Sequence, residues 1–451
     1  MSKTIERKTH LFDNKSLATL IVPLVIEQFL AISVGLVATM MIAGVGESAV
    51  SAVALVDSIL ILFLGGFAAL ATGGAVIAGQ YLGQRNQQKG CEATRQMIWF
   101  NTIIAIALML LIYSCRQFIL RSIFGAIEAD VMTQANTYLS VATASIPFIA
   151  LYNSGAAIFR GMGNSKLPMF VSLLMNLLNV LGIILLVFTL DFGVAGVGVS
   201  LLISRAVAAL IVIWRLCDTK QPLYLPKTFR YRPDWQMIKR TLKIGIPNGL
   251  ENSMFQLGKV FLLSLISSFG TFAVAANAVS MSVAMFQILP GFAITLAVTP
   301  IVARCMGAGQ YEQVDYYLKK LLKIACIAMF AINVIIFFLT PLILRGYNLS
   351  DQTAEIARQI ILLHGIGCIL IWPLSFAIPA TLRATGDVKV VMGIAIVSMW
   401  VFRIGFSYFF ARFLNMGVLG VWVAMLIDWT VRSILMGWRY RTGKWKLIRS
   451  I

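Results

Sequence analysis

Twelve stretches of this chain are each apolar and long enough to cross a lipid bilayer, and that feature decides what it can become. Their approximate limits are 17–43, 54–82, 94–115, 131–158, 168–190, 194–215, 241–268, 279–303, 321–344, 356–381, 390–411 and 417–437. A spanning helix needs roughly 20 mostly apolar residues, because hydrocarbon offers no partner to a backbone amide and the helix must satisfy its own. Composition agrees: of 451 residues, 59% are hydrophobic and 12% charged, whereas a soluble domain carries about 25% charged residues. A soluble globule, a disordered chain, a collagen and a disulfide-stapled scaffold are excluded. The expected fold is all-α and integral to the membrane, with twelve transmembrane helices. Stretches such as 54–82 exceed one bilayer thickness, so tilt or extension beyond the bilayer is expected.

Charge is the next constraint. Lys and Arg number 37 against 18 Asp and Glu, a net charge of +19. On a soluble protein this excess points to nucleic acid; on a membrane protein it marks cytoplasmic loops. Placement separates the two. An even number of spans puts both termini on one side. That side collects 28 basic residues, Lys3, Arg7, Lys8, Arg160, Lys166, Arg383, Lys389 and Arg449 among them, and the opposite side five. The excess is therefore topology. Both termini are expected in the cytoplasm, the chain in an inner membrane, and no nucleic-acid partner is expected. The six Cys form no CxxC pair, and His10 and His364 are the only histidines. No disulfide framework, metal centre or cofactor is expected. A cleavable signal peptide is not expected either, since the first fifteen residues are polar and basic and the following apolar run is too long.

The longest polar stretch, 218–239, contains Pro222, Pro226 and Pro233 and divides the spans six and six. It reads as a linker between lobes at 1–217 and 240–451. The two lobes are copies. Pro23 and Pro247, Glu27 and Glu251, Gly46 and Gly270, and Gly83 and Gly307 are all 224 residues apart. The run from Phe159 through Arg160 and Gly163 to Lys166 aligns with Leu382 through Arg383 and Gly386 to Lys389 at an offset of 223. Gly193 and Gly196 align with Gly417 and Gly420 at 224. Six spans per copy bring both copies into the membrane from the same side. The two six-helix bundles form a parallel internal repeat about an axis along the membrane normal. Transporters built this way hold substrate near the repeat interface and rock lobe against lobe.

These features together resemble the MATE family, for multidrug and toxic compound extrusion. The resemblance is carried by Pro23-x-x-x-Glu27 and its copy Pro247-x-x-x-Glu251, and by the turns Arg160-Gly-x-Gly-Asn-x-Lys166 and Arg383-Ala-x-Gly-Asp-x-Lys389. The Gly-Val-x-Gly-Val starts of spans six and twelve and the closing Arg441-Thr-Gly-Lys-Trp-Lys446 add to it. It covers nearly the whole chain. It implies secondary active export, in which organic cations, often planar and amphipathic, leave in exchange for Na⁺ or H⁺. It also implies lobes arranged as a V that opens to either side in turn. Many members carry an acidic residue at the position of Ala38, and some carry an Asp at that of Trp372.

A charge at bilayer depth costs at least about 2.5–3.5 kcal/mol and so needs a partner or a task. Glu27 and Glu251 each follow a proline by four residues. Proline frees a backbone carbonyl and bends the helix, so a nearby carboxylate suits a proton or a hard cation. A buried ion pair is the competing role. Lys259 lies twelve residues after Pro247, about 18 Å along the helix and near mid-membrane, where the first copy has Gly35. It is a candidate to work against Glu251 in proton coupling, to meet an anionic substrate group, or to form a fixed ion pair. Asp428 and Arg432 have the i, i+4 spacing of an intrahelical pair, with Arg403 a second partner. Asp57 is a weaker ion or substrate candidate at the outer end of span two. Gln256 and Asn179 fall mid-span as cavity candidates, although interhelical hydrogen bonding is the plainer role. Arg160 and Arg383 read as headgroup anchors at their turns.

The function expected from the sequence is a secondary antiporter, a monomer in the lipid bilayer. It would export amphipathic cationic organic small molecules in exchange for H⁺ or Na⁺. The alternative is a flippase for a lipid-linked precursor. Two Glu against one mid-cavity cation, Lys259, tilt the choice toward cations. No Ser/His/Asp set, HExxH motif or Walker sequence is present, which argues against an enzyme or an ATP-driven pump.

Overall fold

The computed structural model describes residues 10–124, 128–226, 232–347 and 349–448. Lys3, Arg7, Lys8, Arg449 and linker residues 227–231 lie outside them. The first half folds as α1 (Asn14–Ala43), α2 (Glu47–Gly83), α3 (Gln87–Phe124), α4 (Ala129–Ala144), α5 (Ile146–Gly161), α6 (Lys166–Ile183) and α7 (Gly193–Leu216). The second half folds as α8 (Trp235–Ser267), α9 (Thr271–Gly307), α10 (Tyr311–Gly346), α11 (Asp351–Leu370), α12 (Trp372–Thr385), α13 (Val388–Val397), α14 (Phe406–Tyr408) and α15 (Gly417–Arg441).

Several spans are broken, each for a local reason. The span made of α4 and α5 bends by 43° where Pro147 opens α5. Pro373 likewise opens α12 after Ile371. α6 runs on as a π-helical segment, Ile184–Thr189, and α13 runs through π-helical Ser398–Gly405 and α14 into π-helical Phe409–Phe413. Each of the twelve apolar stretches thus falls on one span. Among the described residues ten helices are apolar and long enough to cross a membrane, eleven with the bent pair. α8 is the exception, because Glu251, Asn252, Gln256 and Lys259 occupy its middle.

The duplication is written in the turns. Backbone positions with positive φ recur at the repeat offset: Gly46 and Gly270 before α2 and α9, Gly163 and Gly386, Gly193 and Gly417, Asp191 and Asn415, and Arg85 and Gly309. A left-handed residue ends one helix and re-aims the chain into the next, which is where glycine and asparagine are cheapest.

The two lobes share a buried core at one end, and farther along lighter contacts, such as Phe29 of α1 edge-on to Phe286 of α9, join them. One buried apolar cluster contains residues of both halves, from Phe12 and Leu24 through Ala75–Ala78 to Ala297, Ile301, Val314 and Tyr317. All of it lies toward the face that bears the termini. Toward the opposite, distal face each lobe keeps its own core, around Val56, Leu139 and Val187 in one and around Ile266, Trp372 and Trp422 in the other. The seam is made by glycines. A methyl group built on Gly83 would fall 2.3 Å from the Arg304 carbonyl oxygen, and one on Gly307 would fall 2.0 Å from that of Gln80. Both couples are repeat equivalents, so the crossing of α2 and α9 is self-complementary. Gly73 meets α8 in the same way, a methyl there lying 2.8 Å from the Thr241 carbonyl. Without a hydrophobic drive between helices in lipid, such close backbone approach is a principal source of affinity.

The start of the chain straps this seam. The Phe12 amide donates to the Tyr317 hydroxyl at 2.7 Å, and that hydroxyl donates back to the Phe12 carbonyl at 2.9 Å. The Leu11 amide donates to Gln313 at 3.0 Å, and His10 stacks on Tyr316. Asp13 then caps α1, accepting from the Ser16 amide at 2.8 Å. Hydrogen bonds from Ser16 hold its carboxyl below the usual carboxylate range.

Overpacking a tight contact costs about 1–3 kcal/mol, or roughly 5- to 150-fold in a two-state equilibrium. Gly307→Ala is therefore expected to part the lobes at the terminal face by that factor. Spin labels on Gln88→Cys and Lys319→Cys, in an otherwise cysteine-free chain, would report a longer distance. An unchanged distance distribution would show that the seam tolerates the methyl.

Candidate functional site

Pro23 and Pro247 sit inside α1 and α8, and one turn later each helix turns a glutamate inward. Glu27 is buried and accepts from Arg160 at 2.5 Å. Glu251 accepts from Arg383 at 3.1 Å. The arginines come from the last turns of α5 and α12, just before the left-handed Gly163 and Gly386. The anchoring role expected for Arg160 and Arg383 gives way to an internal one: each neutralises the glutamate of its own lobe. Each pair rests on one bond. Glu27 Oε2 and the Nε atoms of Arg160 and Arg383 have no partner among the described residues.

Lys259 does not pair with Glu251. Eight residues of helix separate the two by about 12 Å along the axis, and Arg383 already holds the carboxylate. Lys259 makes no salt bridge among the described residues. Its ammonium lies 5.1 Å from the centre of the Phe255 ring, and the Arg403 guanidinium lies 5.4 Å from the same ring. Both line a cavity of about 180 Å³ with Asn277, Met281, Trp422 and Met425. A neighbouring cavity of about 250 Å³ holds Glu251, Arg383, Asn252 and Arg432.

Asp428 is wholly buried. Arg432 donates to its two oxygens at 3.2 and 3.3 Å, Ser398 donates to it as well, and Arg403 approaches to 3.8 Å. In the other lobe Asp57 is half-buried and accepts from the Tyr138 hydroxyl at 3.1 Å, while Arg205 donates to Ser145 at 2.7 Å. Asn179 is occupied by Ser200, which donates to its side-chain oxygen at 3.0 Å and its carbonyl at 2.5 Å. Gln256 lies half-buried on α8, one turn before Lys259. At the two positions where an acid is expected from the family pattern, Ala38 packs on the distal core and Trp372 is buried, stacked on Phe376. His364 sits in the core and its ring meets Gln287 at 2.6 Å.

Sequence reasoning missed the arginine partners and the company of Arg403 beside Lys259. A signal for the first existed. The repeat offset that duplicates the glutamates also duplicates the arginines, so a conserved pairing in both lobes was the economical reading of four recurring charges.

The MatE family model matches this chain twice, over residues 23–185 and 247–409. The two matched segments are displaced by 224 residues, the repeat offset. The uncharacterized transporter YisQ of Bacillus subtilis is 30% identical, over 95% of this chain and 94% of its own length. A probable multidrug resistance protein NorM of Thermotoga maritima is 25% identical, over 96% and 93%. Among solved structures, a MOP superfamily transporter from Pyrococcus furiosus superposes with a TM-score of 0.88 at 22% identity, over 96% of each chain. It is described as having a binding pocket of reversed polarity that suggests a different function.

Removing one member of a buried ion pair costs about 3–5 kcal/mol, because the other charge is left unpaired. Glu251→Gln and Arg383→Gln are each expected to lower the stability of the purified protein by that order, and the double variant by less than their sum. Unfolding measurements on the four proteins give the coupling, and additive effects would contradict the pairing.

Proposed function

We propose, from the premise that this chain belongs to the MATE family, that it is a secondary antiporter exporting amphipathic organic compounds in exchange for H⁺ or Na⁺. The observation that carries the reading is the one-sided join of the lobes. Two copies of one six-span unit are sealed along a self-complementary glycine seam at the terminal face and keep separate cores toward the distal face. Rocking about that seam would expose a central cleft to each side in turn. The relatives named as probable multidrug resistance proteins support the class of cargo.

The excess of basic residues on the terminal side supports a cytoplasmic location for both termini, in an inner membrane. The protein acts as a monomer on a small-molecule substrate. Glu27 and Glu251 are the proposed coupling groups. A proton or Na⁺ taken up by either carboxylate competes with its arginine, so the single bond of each pair is the element that ion binding would loosen. The cationic preference read from these two carboxylates loses force, because Arg160 neutralises Glu27 and Arg383 neutralises Glu251. It keeps a basis in the amino-terminal lobe, where Asp57 has no arginine within ion-pair distance among the described residues. A flippase for a lipid-linked precursor is the less favoured reading, given relatives named for drug resistance.

In sealed vesicles with separately imposed Na⁺ and H⁺ gradients, efflux of a fluorescent organic cation is expected to follow one gradient and to lose that dependence in Glu251→Gln. Efflux indifferent to both gradients would overturn the antiport reading.

A further inference from the structure

The carboxyl-terminal lobe carries charges that its sister lobe lacks. At the repeat offset of 224, Lys259 stands in place of Gly35, Arg403 of Asn179, Asp428 of Ser204 and Arg432 of Ala208. Three cations and one carboxylate thus occupy positions that are uncharged in the other copy. The carboxylate is taken: Arg432 holds both oxygens of Asp428 at 3.2 and 3.3 Å. What remains is a surplus of two cations facing one cavity.

Arg403 is 8% exposed. Its Nε has no partner among the described residues, and one terminal nitrogen donates to the Met425 sulfur at 3.0 Å, a weak acceptor. Its approach to Asp428, 3.8 Å, is at the limit of an ion pair. Lys259 has no carboxylate partner among the described residues and shares the Phe255 ring with Arg403. Both groups line the cavity of about 180 Å³, whose other walls are largely apolar, with Asn277 fixed by the Trp422 indole at 3.1 Å. The π-helical segment Ser398–Gly405 that presents Arg403 is a further departure from the copy, whose α6 is regular over the equivalent residues. Such segments recur at functional sites. Two like charges in one apolar cavity repel and are poorly solvated, and an oxyanion between them removes both costs.

We propose that this cavity binds the oxyanion of an amphipathic organic substrate, a carboxylate or phosphate, clamped between Lys259 and Arg403, with the apolar walls receiving its body. A forked guanidinium and a mobile ammonium are the two donors suited to such a group. The proposal rests on the transporter reading and deepens it by naming a charged group of the cargo.

The test is equilibrium binding of 1-naphthoate to the full-length protein in phosphatidylcholine nanodiscs, with 1-naphthylmethylammonium as the matched cation. Wild type is expected to bind naphthoate. Lys259→Gln and Arg403→Gln are each expected to weaken it by at least about tenfold, with binding of the ammonium probe not weakened. Lys259→Arg is expected to retain naphthoate binding within about threefold, which separates loss of charge from loss of fold. Naphthoate affinity equal in wild type and both Gln variants would overturn the proposal. So would loss of naphthoate binding in phosphatidylglycerol nanodiscs that persists when salt screens the bilayer charge, which would assign the clamp to a lipid headgroup. Binding is read without a gradient, so failure here is distinguishable from failure of antiport.

Discussion

A carboxylate held in hydrocarbon must have a cation at hand, and in each lobe that requirement ties the first span to the fourth. Glu27 on α1 meets Arg160 on α5, and Glu251 on α8 meets Arg383 on α12. The prolines one turn earlier leave a backbone carbonyl free at this depth, and the left-handed glycines after the arginines are what turn the chain back into the membrane. Proline, glutamate, arginine and glycine therefore act as a set, and the set is present twice. A buried pair of this kind is weak support for stability but a strict specification of geometry. It fixes which face of the first helix looks into its own lobe, and so which face is left for the other.

The face that is left meets the opposite lobe through small residues. Gly73, Gly83, Gly245 and Gly307 allow α2, α8 and α9 to touch backbone to backbone. Lobe association depends on contact that a single methyl would disturb, so it would be tight in this arrangement and lost in one that separated these backbones. That is the behaviour required of an element with two discrete states. The strap at Leu11 and Phe12 adds hydrogen bonds from the first lobe to α10 of the second, and it can hold only while the terminal face is closed.

Much of the architecture was legible because bilayer thickness and turn chemistry leave plain marks on a sequence. All twelve spans were readable, and so was the repeat, since a left-handed turn keeps its glycine or asparagine through duplication. The pairings were less legible. Glu27 and Arg160 are 133 residues apart and Glu251 and Arg383 are 132 apart, and no periodicity connects such positions. Lys259 is legible as an odd charge and Arg403 as a second partner of Asp428, which it approaches to 3.8 Å, but that the two cations share the Phe255 ring is not. The linker also hid a feature. Leu223 is wholly buried there, its amide meeting Met162, and Tyr224 and Leu225 pack beside it. Three apolar residues between two prolines are too few to carry a periodic signal.

What duplication kept and what it changed separate two kinds of residue. Gly83 and Gly307 at the seam, the Glu–Arg pairs and five pairs of positive-φ turns obey the repeat offset. A parallel repeat maps each lobe onto its sister, so a machine made only of such residues would present the same chemistry from both walls of the cleft. Lys259, Arg403, Asp428 and Arg432 break that equivalence. At bilayer depth one lobe holds Glu27 and Asp57 with Arg160 and Arg205, two charges against two, whereas the other holds Glu251 and Asp428 with four cations, Lys259, Arg383, Arg403 and Arg432. The surplus sits in a low-dielectric cavity, where it is felt most strongly. Under the proposed clamp a polar amphiphile would lie in one orientation, its anionic end toward Lys259 of α8 and Arg403 of the segment Ser398–Gly405, because the two walls no longer offer it the same field.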